Sequence, residues 1–308
     1  MVGLGKFTVP YMCKLKDYSN GRRTFSPFWC CSHKCVYCYL EYGFRYLYWR
    51  AKSEDKTISV DLEKVKKDYS KLPSHTEIEI SPSCDAFDLN YEKKYKLTHK
   101  FLKEIVPLRS DIFLTFITKS NLINEYSEFI PEKQSVIQIS VESYGKKLKS
   151  LSPNASSYEE RLECAKDLVD KGLLVGLRID PIIPEIYTQK KDIEKIMNDF
   201  INVGIKHITC SFAKLNPNQI KNLSEKFEWK LDEFMYRKHK NEFFFNDALR
   251  KEYATLIKER CNETDITFAM CREIIIQDTG LCDPFHLLPN YKKKTKIKTQ
   301  TYKKLTEF

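Results

Sequence analysis

Four cysteines fall within nine residues, in Trp29-Cys-Cys31-Ser-His-Lys-Cys35-Val-Tyr-Cys38-Tyr39. Cys31, Cys35 and Cys38 have the spacing C-x3-C-x2-C. Three thiolates this close can ligate three irons of one [4Fe–4S] cube. The fourth iron then has no protein ligand, and an open metal position is what cofactor or substrate chemistry requires. Structural zinc is the competing reading. It wants four ligands, usually as two separated pairs, so a single triplet fits poorly unless His33 or Cys30 completes the set. Plain core packing is the third reading, but buried cysteines seldom cluster this tightly.

Eleven cysteines are present in all. In a reducing cytosol a disulfide framework is the weaker explanation, and the odd count argues against complete internal pairing. Cys13, Cys30, Cys164 and Cys210 read as structural. Cys261, Cys271 and Cys282 are spaced by ten and eleven residues. They contain no C-x2-C pair and are a weak sign of a second cluster. Cys84 follows a strand-like run, at a place where side chains reach a site. His33 reads as a loop residue, and His286 has no evident partner.

Strands must bring these residues together. Thr76–Ser81 and Ser135–Val141 alternate apolar and polar residues, Asp111–Thr118 is β-branched and aromatic, and Leu173–Ile179 and His207–Phe212 complete the set. A first strand is expected near Phe25–Trp29. Helical spacing fills 61–71, 91–106, 121–130, 156–171 and 189–203. Ser156 and Ser157, followed by Glu159 and Glu160, start one of these helices, and Gly172 stops it. Strands alternating with helices imply a parallel sheet with right-handed crossovers. Periodicity does not choose between an open doubly wound sheet and an incomplete barrel. In both, chemistry sits at the carboxyl ends of the strands.

We divide the chain into an N-terminal segment (1–24), a β/α unit (25–215) and a mainly helical C-terminal extension (216–308). The extension holds a short strand at Ile266–Ala269 and ends in a lysine-rich tail. The net charge is +10. Such a surface attracts phosphate backbones, although a solvated lysine tail explains it equally well. No apolar run approaches the ~20 residues needed to cross a membrane. The first residues do not read as a signal peptide. A cytoplasmic protein without membrane contact is expected.

The cysteine motif, with an aromatic before its last cysteine, resembles the signature of the radical S-adenosylmethionine enzymes. The resemblance covers about residues 25–215. Within that superfamily the chain is most similar to the spore photoproduct lyase branch. The likeness is carried by Cys35-Val-Tyr-Cys-Tyr-Leu40, by Ser81-Pro-Ser-Cys-Asp85 with the stretch from Tyr91 to Thr98, by Phe116-Ile-Thr-Lys-Ser120, and by the run from Ser140 through Arg161 to Asp180-Pro-Ile-Ile-Pro184. A Gly-Gly-Glu motif after the second strand, usual in the superfamily, is absent here and in that branch.

The resemblance implies an α/β fold, a partial (β/α)6 barrel. It also implies a [4Fe–4S] cluster on Cys31, Cys35 and Cys38, with S-adenosylmethionine chelating the open iron. By position, Lys119 would reach the methionyl carboxylate, as a point charge suited to it. Ser140, Glu142 and Arg161 would assist in cofactor binding, and Asp180 lies at a strand end beside them. Cys84 would donate a hydrogen atom, and Tyr37 and Tyr39 would help restore the cofactor radical. The implied reductant is a flavodoxin or ferredoxin.

Three functions remain open. The first is a radical enzyme acting on DNA or RNA, with the aromatic and basic stretch Phe44–Arg50 offering stacking and phosphate contacts. The second is a radical enzyme acting on a small molecule or peptide. The third is a non-catalytic metal-binding module.

Overall fold

The computed structural model describes residues 23–28, 31–38, 60–81, 84–184, 188–227, 235–239, 242–271 and 275–291. Tyr39, Cys30, Cys13, the 44–50 stretch and the lysine-rich end past residue 291 lie outside the described residues. Seven strands form one sheet: β1 (Arg23–Phe25), β2 (Glu77–Ile80), β3 (Phe113–Thr118), β4 (Ser135–Ser140), β5 (Leu174–Ile182), β6 (His207–Phe212) and, after the three strands of a second sheet, β10 (Thr267–Met270). Their order is β1-β2-β3-β4-β5-β6-β10, and every pairing is parallel.

Alternation along each strand sorts its side chains to two faces. Ile78, Ile80, Leu114, Phe116, Ile137, Ile139, Val175, Leu177, Ile179, Ile208 and Cys210 all enter one continuous core. That core is shared with the helices Leu62–Tyr69, Tyr158–Asp170, Lys190–Asn202 and Asp247–Glu263, through residues such as Val65, Leu168, Phe200 and Ile257. Many of the intervening residues are polar. Thr24, Glu79, Thr115, Gln138, Ser140, Arg178 and Thr209 are buried too, on the opposite face. A parallel sheet with helices on both sides is apolar on both faces. A buried polar face is instead the lining of a barrel, and this settles the choice that periodicity left open.

The lining is closed at the amino ends of the strands. There Phe285 and Leu288 pack on Phe113 and Val136, and Tyr291 Oη donates to Glu77 at 2.6 Å. Between β5 and β6 the backbones approach closely. A Cβ at Gly176 would lie 3.0 Å from the His207 carbonyl oxygen, so a glycine sits there.

Several elements differ from expectation. The strand expected in the C-terminal extension is the seventh strand of the main sheet, beside β6. An antiparallel sheet joins β7 (Lys214–Leu215), at the end of the β/α unit, to β9 (Glu242–Phe245) and then β8 (Met235–His239) of the extension. The single helix expected over 91–106 is broken. Lys96 adopts a left-handed conformation (φ 52°), because the buried Glu92 carboxylate draws in the Thr98 and His99 amides, each at 2.9 Å. The helix at Tyr158 is capped by Ser157 and Glu160, each accepting from the other's amide, as the sequence suggested.

Candidate cluster and cofactor site

The cysteine loop, residues 31–38, is tied to the barrel at several points. Asp88, fully buried, accepts from Ser32 N at 2.6 Å and Ser32 Oγ at 2.7 Å. Its Oδ1 also takes the Asn90 and Tyr91 amides, each at 3.0 Å. Asn154 donates its side-chain amide to Ser32 O and its backbone N–H to His33 O. Val36 N donates to Leu151 O, and Gln219 Nε2 donates to Tyr37 O. Asp85 joins β2 to β3 by accepting from Thr118 Oγ1 at 2.8 Å and Lys119 N at 2.8 Å.

Cys31, Cys35 and Cys38 are partly buried thiols on this loop. Burial, then Asp85 and Cys35, push the Cys31 thiol well above its ordinary range. Burial likewise moves Cys35 up to about 12, partly opposed by Lys119. Thiols so placed ionise only against a strong local cation, which bound iron provides. The donor set therefore fits a thiolate-ligated iron cluster. Zinc would need a fourth ligand. Asp88 lies within reach of Cys31 and His33, but its oxygens are already occupied by four donors, so it is an anchor of the loop.

Beside the loop lies a buried charge network. Glu142, with no exposed surface, accepts from Tyr37 Oη at 2.5 Å and Ser152 Oγ at 2.6 Å on one oxygen. Its other oxygen takes Arg161 Nη1 at 3.0 Å and Lys119 Nζ at 3.4 Å. Burial alone would raise this carboxyl. Lys119 and Arg161, helped by the Ser152 and Tyr37 hydroxyls, outweigh it and hold the group at about 2.

Lys119 Nζ also donates to Ser140 Oγ at 2.6 Å and to the Asp180 carbonyl at 3.3 Å, and it lies 5.7 Å from the centre of the Tyr37 ring. Arg161 donates further to the Ser140 and Ser156 carbonyls. Thus Tyr37, Lys119, Ser140, Glu142 and Arg161 are brought together at the carboxyl ends of β3 and β4.

One distinction within the expected set emerges. Glu142 and Arg161 are sealed, with their donors and acceptors used internally, whereas the Lys119 side chain keeps 16% of its surface exposed. In this structure the sealed pair contacts Lys119 and the Ser140 carbonyl. Asp180 receives Arg178 through Nη2 at 2.7 Å and Nε at 3.0 Å.

Cys84 follows Ser81, packs half-buried against the helix-side core, and has its thiol pushed far up, chiefly by burial. It feels the same Asp85 and Asp88 carboxylates as Cys31. Cys261, Cys271 and Cys282 do not converge. Cys261 is in the helix-side core, while Cys271 and Cys282 flank Arg178 on the lining, with Cys271 hydrogen-bonded to it. His286 bonds to Thr267 and the Leu281 amide at the closed end of the barrel, away from the cysteine loop.

Sequence reasoning did not single out Asp88, Ser152, Asn154 or Gln219. A signal existed for Asp88, because an aspartate ahead of Tyr91-Glu92 is a helix-start pattern. Nothing local marked the other three.

No protein-family model matches the chain. It is 28% identical over 174 residues to an uncharacterised protein of Methanocaldococcus jannaschii, covering 55% of this chain and 62% of that one. It is 26% identical over 123 residues to an uncharacterised protein of Acidianus two-tailed virus, covering 37% and 39%. The chain thus spans less than two thirds of the length of the curated relatives it matches. Among solved structures, the fold is that of the radical S-adenosylmethionine partial barrel. In particular it is similar to spore photoproduct lyase, solved as a variant with bound S-adenosylmethionine and a dinucleoside spore photoproduct. The TM-score is 0.64 at 18% identity, over 86% of this chain and 78% of that one. A second variant of the lyase, bound to the dinucleoside photoproduct, gives 0.65 at 15% identity. No helix among the described residues is long and apolar enough to cross a membrane.

Proposed function

We propose that the chain is a radical S-adenosylmethionine enzyme whose cofactor site lies between the cysteine loop and Lys119. The observation that carries this reading is the junction of two features: a loop of three thiols, and a half-sheltered lysine whose ammonium is aimed by Ser140, Glu142 and the Asp180 carbonyl. Cys31, Cys35 and Cys38 would hold a [4Fe–4S] cluster. When bound, that cluster supplies the electron that splits S-adenosylmethionine into methionine and a 5′-deoxyadenosyl radical.

The chain's own residues do the positioning. Lys119 offers a point charge to the methionyl carboxylate. Ser140 fixes the ammonium, and Glu142 with Arg161 supports both from behind. Because Arg161 still compensates Glu142 when the lysine is lost, Lys119→Met should fold. It should weaken S-adenosylmethionine binding by about tenfold to a hundredfold, the worth of one charged hydrogen bond. Calorimetric titration of the reconstituted protein checks this. Unchanged affinity would remove Lys119 from the site.

The substrate we favour is nucleic acid. The net charge of +10 and the likeness to a fold solved with a dinucleoside photoproduct support it. Binding to DNA and RNA oligonucleotides should weaken steeply with salt. A flat salt response would move the choice to a small molecule or peptide. Cys84, held protonated by burial, is suited to donate a hydrogen atom. Cys84→Ala should leave 5′-deoxyadenosine formation intact and change the product pattern with substrate. An unchanged pattern would end that role.

A further inference from the structure

We infer that His33 is the barrel-side hydrogen-bond donor to the sulfur shell of the cluster, a positioning residue that sets its potential. The inference rests on the [4Fe–4S] reading above and concerns a residue outside its ligand set. His33 keeps 1% of its surface exposed, and its Nε2 has no hydrogen-bond partner among the described residues. An imidazole nitrogen left orphaned inside a protein costs about 1–3 kcal/mol, so native structures rarely leave one without a function or a missing partner.

The surroundings narrow what that partner can be. A ring nitrogen of His33, the Cys31 sulfur and an Asp88 oxygen all lie within 4.8 Å of one another. Asp88 is already engaged in anchoring the loop, with Ser32 Oγ and the Asn90 and Tyr91 amides on Oδ1 and Ser32 N on Oδ2. Asp85 stands 3.7 Å from His33 Nδ1, too far for a hydrogen bond. It makes no hydrogen bond that would hold the ring proton on Nδ1, so the tautomer follows the acceptor that Nε2 meets. Among the described residues, the other ligand atom grouped with the ring is the Cys31 sulfur. Asn154 holds the His33 carbonyl, which fixes the backbone that carries the ring.

Hydrogen bonds to cluster sulfurs raise the reduction potential. A cluster that lost the His33 bond would therefore be harder to reduce. Three proteins, each reconstituted anaerobically without S-adenosylmethionine, test this: the unmodified chain, His33→Leu and His33→Gln. The readout is the cluster's midpoint potential in an EPR-monitored redox titration, with iron and sulfide content measured alongside.

The expected result is a full cluster in all three. His33→Leu should be shifted to lower potential, and His33→Gln, which keeps an N–H donor, should be shifted back toward the unmodified value. Equal potentials in all three would overturn the inference and leave the cluster reading intact. Loss of iron from both variants while the unmodified chain loads would also overturn it, because His33 would then be a ligand. If the unmodified chain takes up no cluster, the reading beneath the inference fails first.

Discussion

Glu142→Leu will cost about 3–5 kcal/mol of folding stability, the range for breaking a buried ion pair by removing one partner. The carboxylate has no exposed surface, and neither does the Arg161 side chain that meets it. Leucine would leave a sealed guanidinium, the Lys119 ammonium, and the Tyr37 and Ser152 hydroxyls without their shared acceptor. Chemical denaturation at neutral pH measures the loss.

The same group predicts a pH dependence. Its carboxyl sits at about 2 in the folded chain against an ordinary 4.5. The unfolded chain therefore binds this proton first as pH falls. The stabilisation, about 3 kcal/mol from the shift alone, is complete above pH 4.5 and disappears as pH falls through the folded value. The leucine variant should lack this component, and the difference between the two proteins should shrink across that window. A variant as stable as the unmodified chain at pH 7 would mean that the network is assembled differently.

Cys35→Ala should abolish both cluster uptake and cofactor cleavage. A cube held by three thiolates has no spare protein ligand, so loss of the middle one removes the assembly outright. Cys164→Ala is the matched control. Its sulfur lies in the helix-side core, and truncating it should cost stability without touching iron content. Anaerobic reconstitution followed by iron and sulfide determination separates the two. Retention of a full cluster by Cys35→Ala would refute the ligand set.

The strands were legible in the sequence because their alternation is strict. Thr76–Ser81, Ser135–Val141 and His207–Phe212 were expected, and β2, β4 and β6 run over Glu77–Ile80, Ser135–Ser140 and His207–Phe212. The same alternation points to a barrel, since many of the residues between the core-facing ones are polar and yet buried. What remained hidden depends on contacts distant in sequence. β10 joins β6 across about sixty residues, and no local pattern announces that neighbour. The break at Lys96 follows from where the Glu92 carboxylate turns. The Tyr37–Glu142 bond spans 105 residues; both residues were candidates, but their pairing was not readable. Glu142 and Arg161 show the limit most clearly. A strand-end position marked Glu142 and the family resemblance marked Arg161, and neither showed that both side chains are sealed against each other.

The central claim is that the loop of Cys31, Cys35 and Cys38 and the lysine facing it form one cofactor site. Its most direct test is the formation of 5′-deoxyadenosine and methionine by the anaerobically reconstituted, dithionite-reduced chain given S-adenosylmethionine. The account predicts both products, their loss in Cys35→Ala, and a raised cofactor requirement in Lys119→Met. A protein that carries its full cluster, binds S-adenosylmethionine and yields no 5′-deoxyadenosine on reduction would contradict it.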